Sequence, residues 1–329
     1  MASHDWKKLK DIFENNQTFT ITTHVNPDGD GIGSEQALYY FLKQMGKEVK
    51  IYNSNEPPAA FRYLINDLSI FDTYEPGNDD WILESDVIIV LDISTLERLV
   101  RMAPAVRKSK ALKVCIDHHE GNEIFGDLSI IDESACATAE LIYEMINNLG
   151  GKLDYDIALG LYVGILTDTG SFRYSQSVDR AHIIASDLLK YGIDPEDTYK
   201  YLYENSSWNR FELFKLLLDR TKKEYGGKLV WSKITTEMFE NSSAKREEIE
   251  GFVDFPMTIQ GVEVSILFLE VPNRGTKISL RSIKTIDVQK LAAQFGGGGH
   301  KHASGIRLFD TGIDDAEKMV IEEAVKIFE

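Results

Sequence analysis

Two short apolar runs constrain the fold of this chain more than any other feature of its sequence. Asp86–Asp92 reads DVIIVLD, and Leu112–Asp117 repeats the pattern as LKVCID. Apolar runs of this length are expected for parallel strands that are covered on both faces, because helices then pack on each side of the sheet. The two runs therefore predict an α/β domain with a parallel sheet.

Strand-like and helix-like segments alternate around these runs. β-Branched residues followed by a Pro/Gly cluster predict a strand at Thr18–His24, and a second short strand is predicted at Glu48–Tyr52. Apolar residues recur at helical spacing over Gly33–Met45. Further helices are predicted at Ala137–Asn148, Ile157–Leu166 and Arg180–Lys190. This βαβα order predicts a doubly wound parallel sheet.

The pattern changes after about residue 195. Pro195–Glu224 is predicted to form one or two helices that connect two domains, as the length of 329 residues suggests. Strands are predicted beyond it at Lys228–Lys233, Val262–Glu270 and Lys277–Ser282, and helices at Ile286–Phe295 and Asp314–Phe328. We therefore expect a first domain over residues 1–195, a helical linker over 196–225, and a smaller mixed-sheet α/β domain over 226–329.

Charge and composition limit the partners of the chain. Its 36 basic and 53 acidic side chains give a net charge of −17, which argues against nonspecific binding of long DNA or RNA. A small anionic substrate is still compatible, because bound metal ions can supply local positive charge. The sequence has no apolar run long enough to span a bilayer, no apolar secretory leader and only two cysteines. We therefore expect a cytoplasmic protein without a membrane partner.

Acidic and imidazole side chains follow several of the predicted strands. Pro27, Gly29 and Gly31 predict a sharp turn in HVNPDGDG, where three of these side chains lie. The candidates are His24, Asp28, Asp30, Asp92, Asp117, His118, His119 and Asp168. Aspartates are common in turns and helix caps, but the carboxyl ends of parallel strands meet at one ligand-binding edge. So many acids and imidazoles at that edge favour a site over coincidence.

The residue types indicate which ligand this edge would hold. Imidazole with several carboxylates and no thiolate favours Mn²⁺, with Mg²⁺, Fe²⁺ or Co²⁺ as competitors, over a structural zinc site. The candidates suffice for two ions per chain. Two ions about 3.5–4 Å apart can clamp the attacking and leaving oxygens of a phosphoryl transfer and acidify a bridging water. The sequence therefore predicts a two-metal site for phosphate chemistry.

A second candidate site lies near the C-terminus. Gly296–Gly299 are four consecutive glycines, whose freedom to adopt positive φ would let backbone N–H groups line a phosphate-binding concavity. Polar side chains that add donors follow at His300, Lys301, His302 and Ser304. A flexible linker is the alternative, although linkers seldom run directly into His-Lys-His. Arg281 and Ser282 are further anion-binding candidates, and we hypothesise that this domain closes over the metal site.

Taken together, these motifs resemble those of the DHH phosphoesterases. Asp117-His118-His119 is similar to the family's signature triplet, and HVNPDGDGIGS, DIS, DHH and TDTGSFRYS follow the family's order and approximate spacing. GGGGHKHASG is similar to the signature of the associated DHHA1 domain. The resemblance covers nearly the whole chain, and its two-domain plan is most similar to the bacterial nanoRNase/pAp-phosphatase group.

The resemblance implies a role for each candidate. His24 and Asp28 would hold one metal ion, with Asp92 as the bridge to the other. The second ion would be held by Asp30, His118 and Asp168. His119 would contact the scissile phosphate or protonate the leaving oxygen, and Asp117 would orient a histidine. Substrate-binding roles would fall to Arg281, Gly298, Gly299, His300, His302 and Ser304, and to Arg173 next to the metal motif.

The implied activity is hydrolysis of phosphate esters in short nucleotides. The expected substrates are RNA oligonucleotides from dinucleotides to pentanucleotides, and 3′-phosphoadenosine 5′-phosphate (pAp), with linear pApA-type dinucleotides as an alternative. Long DNA is not expected, and assembly as a homodimer is left open. The competing interpretations are an inorganic pyrophosphatase, a regulatory module without catalysis, and a structural α/β protein. GGGGHKHASG argues against the first, the intact candidate ligands against the second, and the clustered strand-end acids against the third.

Overall fold

The computed structural model describes residues 5–58, 61, 68–93, 95–119, 125–173, 178–283 and 285–328. The chain divides into two units, Met1–Asn205 and Ser206–Glu329. This division lies within the segment 196–225 that was predicted as a linker, and each unit is built around its own six-stranded sheet. Within the described ranges, no helix has the length and apolar character needed to cross a membrane.

The first unit contains a parallel sheet, as predicted. Its strands are β1 (Thr18–Thr22), β2 (Glu48–Asn53), β3 (Phe71–Thr73), β4 (Val87–Leu91), β5 (Leu112–Asp117) and β6 (Leu128–Ile131). Its helices are α1 (Trp6–Asn15), α2 (Gly29–Gln44), α3 (Asp80–Glu84), α4 (Ala103–Lys108), α5 (Thr138–Asn148), α6 (Tyr155–Asp168), α7 (Val178–Leu188) and α8 (Pro195–Tyr203). The strand order is β3-β2-β1-β4-β5-β6, and every neighbouring pair is parallel.

Strand β4 shows why the apolar runs are continuous. Val87, Ile89 and Leu91 belong to a buried core that also contains residues of α1, α2, α5 and α6. Ile88 and Val90 point to the opposite face, into a second core with residues of α3 and α4. Because successive side chains alternate between faces, a strand that is covered on both sides must be apolar throughout. The sheet is therefore doubly wound, which confirms the predicted fold class.

Helices α2 and α6 cross at two glycines. A Cβ atom on Gly33 would lie 2.2 Å from the carbonyl oxygen of Gly160, and a Cβ on Gly160 would lie 2.5 Å from that of Gly33. One turn further along α6, a Cβ on Gly164 would lie 2.9 Å from Oδ1 of Asp30. Only glycine permits this approach, and it brings the start of α2 close to the end of α6.

The second unit contains a mixed sheet in the order β11-β12-β10-β9-β8-β7. Its strands are β7 (Lys222–Glu224), β8 (Leu229–Ile234), β9 (Val264–Val271), β10 (Gly275–Ser282), β11 (Gly298–His300) and β12 (Ala303–Leu308). Its helices are α9 (Trp208–Asp219), α10 (Thr236–Ser242), α11 (Val288–Gln294) and α12 (Ile313–Ala324). Helices α11 and α12 share one core with the sheet, and α9 and α10 share another. Strands β8 and β9 are parallel and the other pairs antiparallel.

A buried carboxylate fixes α12 to the sheet of the second unit. Glu317 Oε1 accepts hydrogen bonds of 2.7 Å from Lys222 Nζ and from Trp231 Nε1, and its Oε2 lies 2.6 Å from Lys233 Nζ. Burial disfavours the charged carboxylate, but these donors outweigh that effect and lower the pKa of Glu317 to about 2. Glu317 is therefore ionised and paired at neutral pH.

Strands β3 and β6 were not predicted, and the start of α2 also differs from the prediction. The helix was expected to begin at Gly33 after a sharp turn, but it begins at Gly29. The Asp28 carboxylate caps it by accepting the backbone N–H groups of Asp30 and Gly31, both at 3.1 Å. Gly31 is thus helical, and its missing side chain makes room for Thr23.

Candidate metal centre

The predicted metal-site residues gather where the strand order of the first unit reverses. His24 follows β1, and Asp92 follows the neighbouring strand β4. From these two strands, the chain builds outward to β2 on one side and to β5 on the other. Crevices at such a switch point are the usual ligand sites of doubly wound sheets.

One group of possible ligands consists of His24, Asp28 and Asp92. His24 Nε2 lies 3.7 Å from Asp28 Oδ2 and 3.5 Å from Asp92 Oδ2. The other ring nitrogen, Nδ1, lies 2.9 Å from the backbone oxygen of Val25. A hydrogen bond to that oxygen directs Nε2 at the two carboxylates, so that its lone pair becomes available to a metal ion once the Nε2 proton is lost.

A second group consists of Asp30, His118 and Asp168. His118 Nε2 lies 3.4 Å from Asp168 Oδ2 and 3.8 Å from Asp30 Oδ2. It also lies 3.7 Å from Asp92 Oδ1, whereas the other oxygen of Asp92 faces His24. His118 Nδ1 is held by the backbone oxygen of Ala135 at 3.2 Å. The two groups therefore share Asp92, which directs one carboxylate oxygen to each.

The environment of His118 Nε2 shows whether these residues suit a metal ion. Its Nε2 is buried and has no hydrogen-bond partner among the described residues, although three carboxylate oxygens lie at 3.4–3.8 Å. These separations are too long for hydrogen bonds. They are close to the spacing of about 3.0–3.4 Å between two ligands that each lie about 2.1 Å from one ion. The nitrogen and oxygen donor set also fits Mn²⁺ or Mg²⁺.

Backbone groups hold the deepest carboxylate in place. Asp30 accepts the N–H groups of Thr138 at 2.6 Å and Ala139 at 2.9 Å, at the beginning of α5. A helix N-terminus favours negative charge there. The Thr138 hydroxyl also donates to Asp92 Oδ1 at 3.2 Å. Asp92 itself has a φ of 56°, which is costly for a residue with a side chain and is common at functional sites.

The ionisation of these groups indicates an excess of negative charge. Burial and the neighbouring charges of Asp92, Asp168 and Asp28 raise the pKa of Asp30 well above its usual value. Desolvation and nearby carboxylates also raise the pKa of Asp168 to about 6, against the opposing charge of His118. Burial disfavours protonated His24, but Asp28 and Asp92 outweigh it and raise its pKa to about 10. Without a bound cation, the cluster therefore retains protons to balance its charge.

Asp117 orients His119 and not His118. The buried Asp117 accepts His119 Nδ1 at 2.8 Å, and the backbone N–H groups of His118 and His119 at 2.8 and 3.2 Å. The hydrogen bond to Asp117 raises the pKa of His119. His119 Nδ1 also lies 3.5 Å from Asp92 Oδ1, and 28% of its side chain is exposed. His119 thus lies beside the shared carboxylate and can be reached by a ligand.

Among the described residues, the members of the cluster differ in their exposure to solvent. The side chains of Asp30 and Asp92 are 1% and 2% exposed, whereas those of Asp28 and Asp168 are 57% and 31% exposed. Together with His119, these two define the side from which a phosphate group would approach.

Arg173 lies shortly after Asp168 but is anchored by its own chain. Its Nε donates to the backbone oxygen of Gly170 at 3.0 Å. Gly170, Ser171 and Phe172 all have positive φ values, of 56°, 61° and 64°, so the chain turns sharply after α6. Within this turn, the ring of Phe172 stacks on His182 with centroids 4.6 Å apart.

The glycine-rich segment of the second unit forms a β-hairpin where a concave N–H cradle was expected. Gly296 and Gly299 have positive φ, but Gly298–His300 pair with Ala303–Gly305 as the edge strand β11. A Cβ on Gly297 would lie 2.3 Å from the backbone oxygen of Gly305, so close pairing requires glycine here. Gly298, Gly299 and His300 are exposed.

The remaining substrate-binding candidates lie on or beside the neighbouring strands of this sheet. Arg281 Nε donates to Asp254 Oδ1 at 2.7 Å. The hydroxyl group of Ser282 donates to the backbone oxygen of Ile286, which also lies 3.0 Å from His302 Nδ1. Ser304 Oγ donates to the backbone oxygen of His300 at 2.7 Å. The hydroxyl protons of both serines are thus used within the unit.

Sequence reasoning missed the contribution of α5. Thr138 and the backbone oxygen of Ala135 hold Asp30, Asp92 and His118 in place, yet neither is a residue type that marks a metal site. The signal was the predicted start of a helix at Ala137, because a helix N-terminus can bind a carboxylate.

The fold and the site together define an α/β protein with histidine and carboxylate groups arranged for divalent cations, followed by a mixed-sheet unit. The family models for the DHH family N-terminal domain and the DHHA1 domain match residues 18–165 and 226–328. The chain belongs to the DHH family and carries a DHHA1 domain, which confirms the resemblance found in its motifs.

Named relatives match most of the chain. The bifunctional oligoribonuclease and PAP phosphatase NrnA of Thermus thermophilus is 34% identical over 306 residues, covering 92% of this chain and 87% of that protein. The protein of the same name from Bacillus subtilis is 27% identical, with 93% of each chain covered. A solved exopolyphosphatase-related protein from Bacteroides fragilis superimposes with a TM-score of 0.91 at 31% identity, covering 98% of this chain and 97% of that chain.

Proposed function

We propose that this protein is a metal-dependent phosphoesterase that hydrolyses short RNA oligonucleotides to nucleoside monophosphates and pAp to AMP. The observation that carries the proposal is the pair of histidine–carboxylate groups that share Asp92. The substrate classes are taken from the names of relatives that match most of the chain.

We assign one ion to His24 and Asp28, with Asp92 between the two ions. Asp30, His118 and Asp168 would hold the other ion. Bound there, two divalent cations would neutralise charge on a phosphate group and acidify a water molecule. Mn²⁺ is the proposed cofactor, because imidazole nitrogen and carboxylate oxygen donors suit it.

The proposed role of His119 follows from its hydrogen bond with Asp117. Because Asp117 holds Nδ1 and raises the pKa of the ring, a protonated His119 retains an N–H group at Nε2. This group would donate to an oxygen of the scissile phosphate, or a proton to the leaving oxygen. Asp117 acts through His119 and is a positioning residue.

The second unit supplies the proposed nucleotide-binding groups. Arg281 and the exposed residues of β11 offer a guanidinium, backbone N–H groups and the imidazole of His300. His302, Ser282 and Ser304 belong to the same hydrogen-bonded region. The net charge of −17 favours short substrates over long nucleic acids, because few phosphates can be neutralised away from the site.

The proposal is tested with three substrates in parallel, in Mn²⁺ and in excess EDTA. We expect mononucleotides from a 5′-phosphorylated RNA dinucleotide, AMP from pAp, no turnover of pyrophosphate, and no activity in EDTA. Hydrolysis of pyrophosphate alone would instead support a pyrophosphatase. Activity that survives complete metal removal would refute the mechanism.

A further inference from the structure

Arg98 lies beside the candidate metal centre but was not among the predicted site residues. It belongs to a 3₁₀ turn, Leu96–Leu99, that follows β4 and Asp92. The backbone oxygen of Arg98 accepts the N–H group of Val25 at 2.8 Å, which ties this turn to the residue next to His24. The backbone of Arg98 is therefore fixed to the loop that carries a proposed metal ligand.

The side chain of Arg98 is half-buried, in a turn that is hydrogen-bonded to the loop of His24. Its positive charge is close enough to the His119 ring to oppose the rise in the pKa of that histidine. His119 is one of the more exposed members of the cluster, with Asp28 and Asp168. Arg98 thus contributes positive charge beside the loop that carries His24 and within electrostatic range of His119.

Among the described residues, the Arg98 guanidinium has no hydrogen-bond or ion-pair partner. Several other arginines of the first unit differ in this respect. Arg101 pairs with Glu75 at 3.6 Å, Arg107 pairs with Glu97, and Arg180 pairs with Glu140 at 2.9 Å. A half-buried guanidinium without an acceptor has its full fork of N–H donors available, and that fork matches two oxygens of a phosphate group.

We infer that Arg98 binds non-bridging oxygens of the phosphate group that is hydrolysed, next to His119. The inference rests on the proposed phosphoesterase function and adds a residue to the substrate side of its site. Arg98 would hold the phosphate in place and stabilise negative charge that develops on it. Both proposed substrates contain the scissile phosphate, so both need this contact.

The test compares Arg98→Ala and Arg98→Lys with wild type on the RNA dinucleotide and on pAp. We expect Arg98→Ala to lower kcat/KM about 100-fold for both substrates, as loss of one charge-stabilising donor typically does. Arg98→Lys should recover part of the loss, because it keeps the charge but not the fork. Lys108→Ala, which removes an exposed positive charge at the end of α4, serves as the control and should match wild type.

Two further measurements separate phosphate binding from a structural role. Bound Mn²⁺ per chain and the melting temperature should be unchanged in Arg98→Ala, while the Kd for inorganic phosphate of the Mn²⁺-loaded protein should rise at least 10-fold. Loss of Mn²⁺ or of thermal stability would show that Arg98 balances the carboxylates instead, and would overturn the inference. Unchanged phosphate affinity would overturn it too. If wild type hydrolyses neither substrate, the proposed function fails, and the phosphate titration still decides the role of Arg98.

Discussion

Replacing Gly33 by alanine should separate the two helices that carry the metal-centre carboxylates. The new Cβ would lie 2.2 Å from the backbone oxygen of Gly160, whereas non-bonded carbon and oxygen atoms need more than 3 Å. Helix α2 or α6 must therefore move by about 1 Å. Helix α2 carries Asp30 and α6 ends at Asp168, and both carboxylates face His118.

A shift of that size exceeds the tolerance of about 0.2 Å in metal–ligand distances. We expect Gly33→Ala to weaken Mn²⁺ binding at least 10-fold and to lower kcat/KM about 100-fold, as misplacement by about 1 Å typically does. Forcing an extra methyl group into the packed core should also lower the free energy of unfolding by about 1–3 kcal/mol.

Calorimetric Mn²⁺ titration, steady-state kinetics and denaturant unfolding measure the three effects. Gly312→Ala is the matched control, because a Cβ there meets nothing within 4 Å and its φ is −64°. If Gly33→Ala bound Mn²⁺ and turned over substrate like Gly312→Ala, the helix crossing would not position the site and the reasoning would be refuted.

Three further predictions concern charge. Asp92→Asn should lower the Mn²⁺ stoichiometry below two per chain and reduce kcat by several orders of magnitude. His119→Ala should reduce kcat but keep the stoichiometry at two. Elemental analysis combined with steady-state kinetics distinguishes the two outcomes. Mn²⁺ affinity should fall as pH falls, because the ion must displace the proton that His24 holds with a pKa of about 10, and calorimetry in buffers of different ionisation enthalpy should detect proton release. Glu317, with a pKa lowered from 4.5 to about 2, contributes up to about 3 kcal/mol of stability that is present above pH 4.5 and is lost as pH falls towards 2. Glu317→Gln should therefore unfold more easily than wild type at pH 7 but not near pH 2, as urea titrations at both pH values would show.

The sheet of the first unit could be predicted because its central strands are buried on both faces. Burial leaves no choice but an apolar run, so β4 and β5 were found within one residue of their ends. Strand β3 was not predicted, since it has three residues and is a strand only through its pairing with β2. The start of α2 was missed because Gly29 and Gly31 suggest a turn, whereas their absent side chains serve close packing against Thr167 and Thr23.

The candidate site, too, could be predicted from the sequence only in part. Histidine and aspartate at strand ends are visible in the sequence, and the structure brings the six proposed ligands together in two groups that meet at Asp92 and His118. The contacts that orient them come from backbone groups, such as the oxygens of Val25 and Ala135, which any residue type could supply. Gly296–Gly299 were predicted to line a phosphate-binding concavity because glycine permits positive φ. Close strand pairing with Gly305 also requires glycine, so the glycine residues alone did not distinguish the two structures.

The proposed activity depends most directly on where two metal ions bind. Anomalous diffraction from crystals grown with Mn²⁺ would locate them. We predict two peaks about 3.5–4 Å apart with one oxygen of Asp92 on each. The first peak should be bound by His24 and Asp28, and the second by Asp30, His118 and Asp168. A single peak, or a pair that Asp92 does not bridge, would contradict the proposed two-metal site.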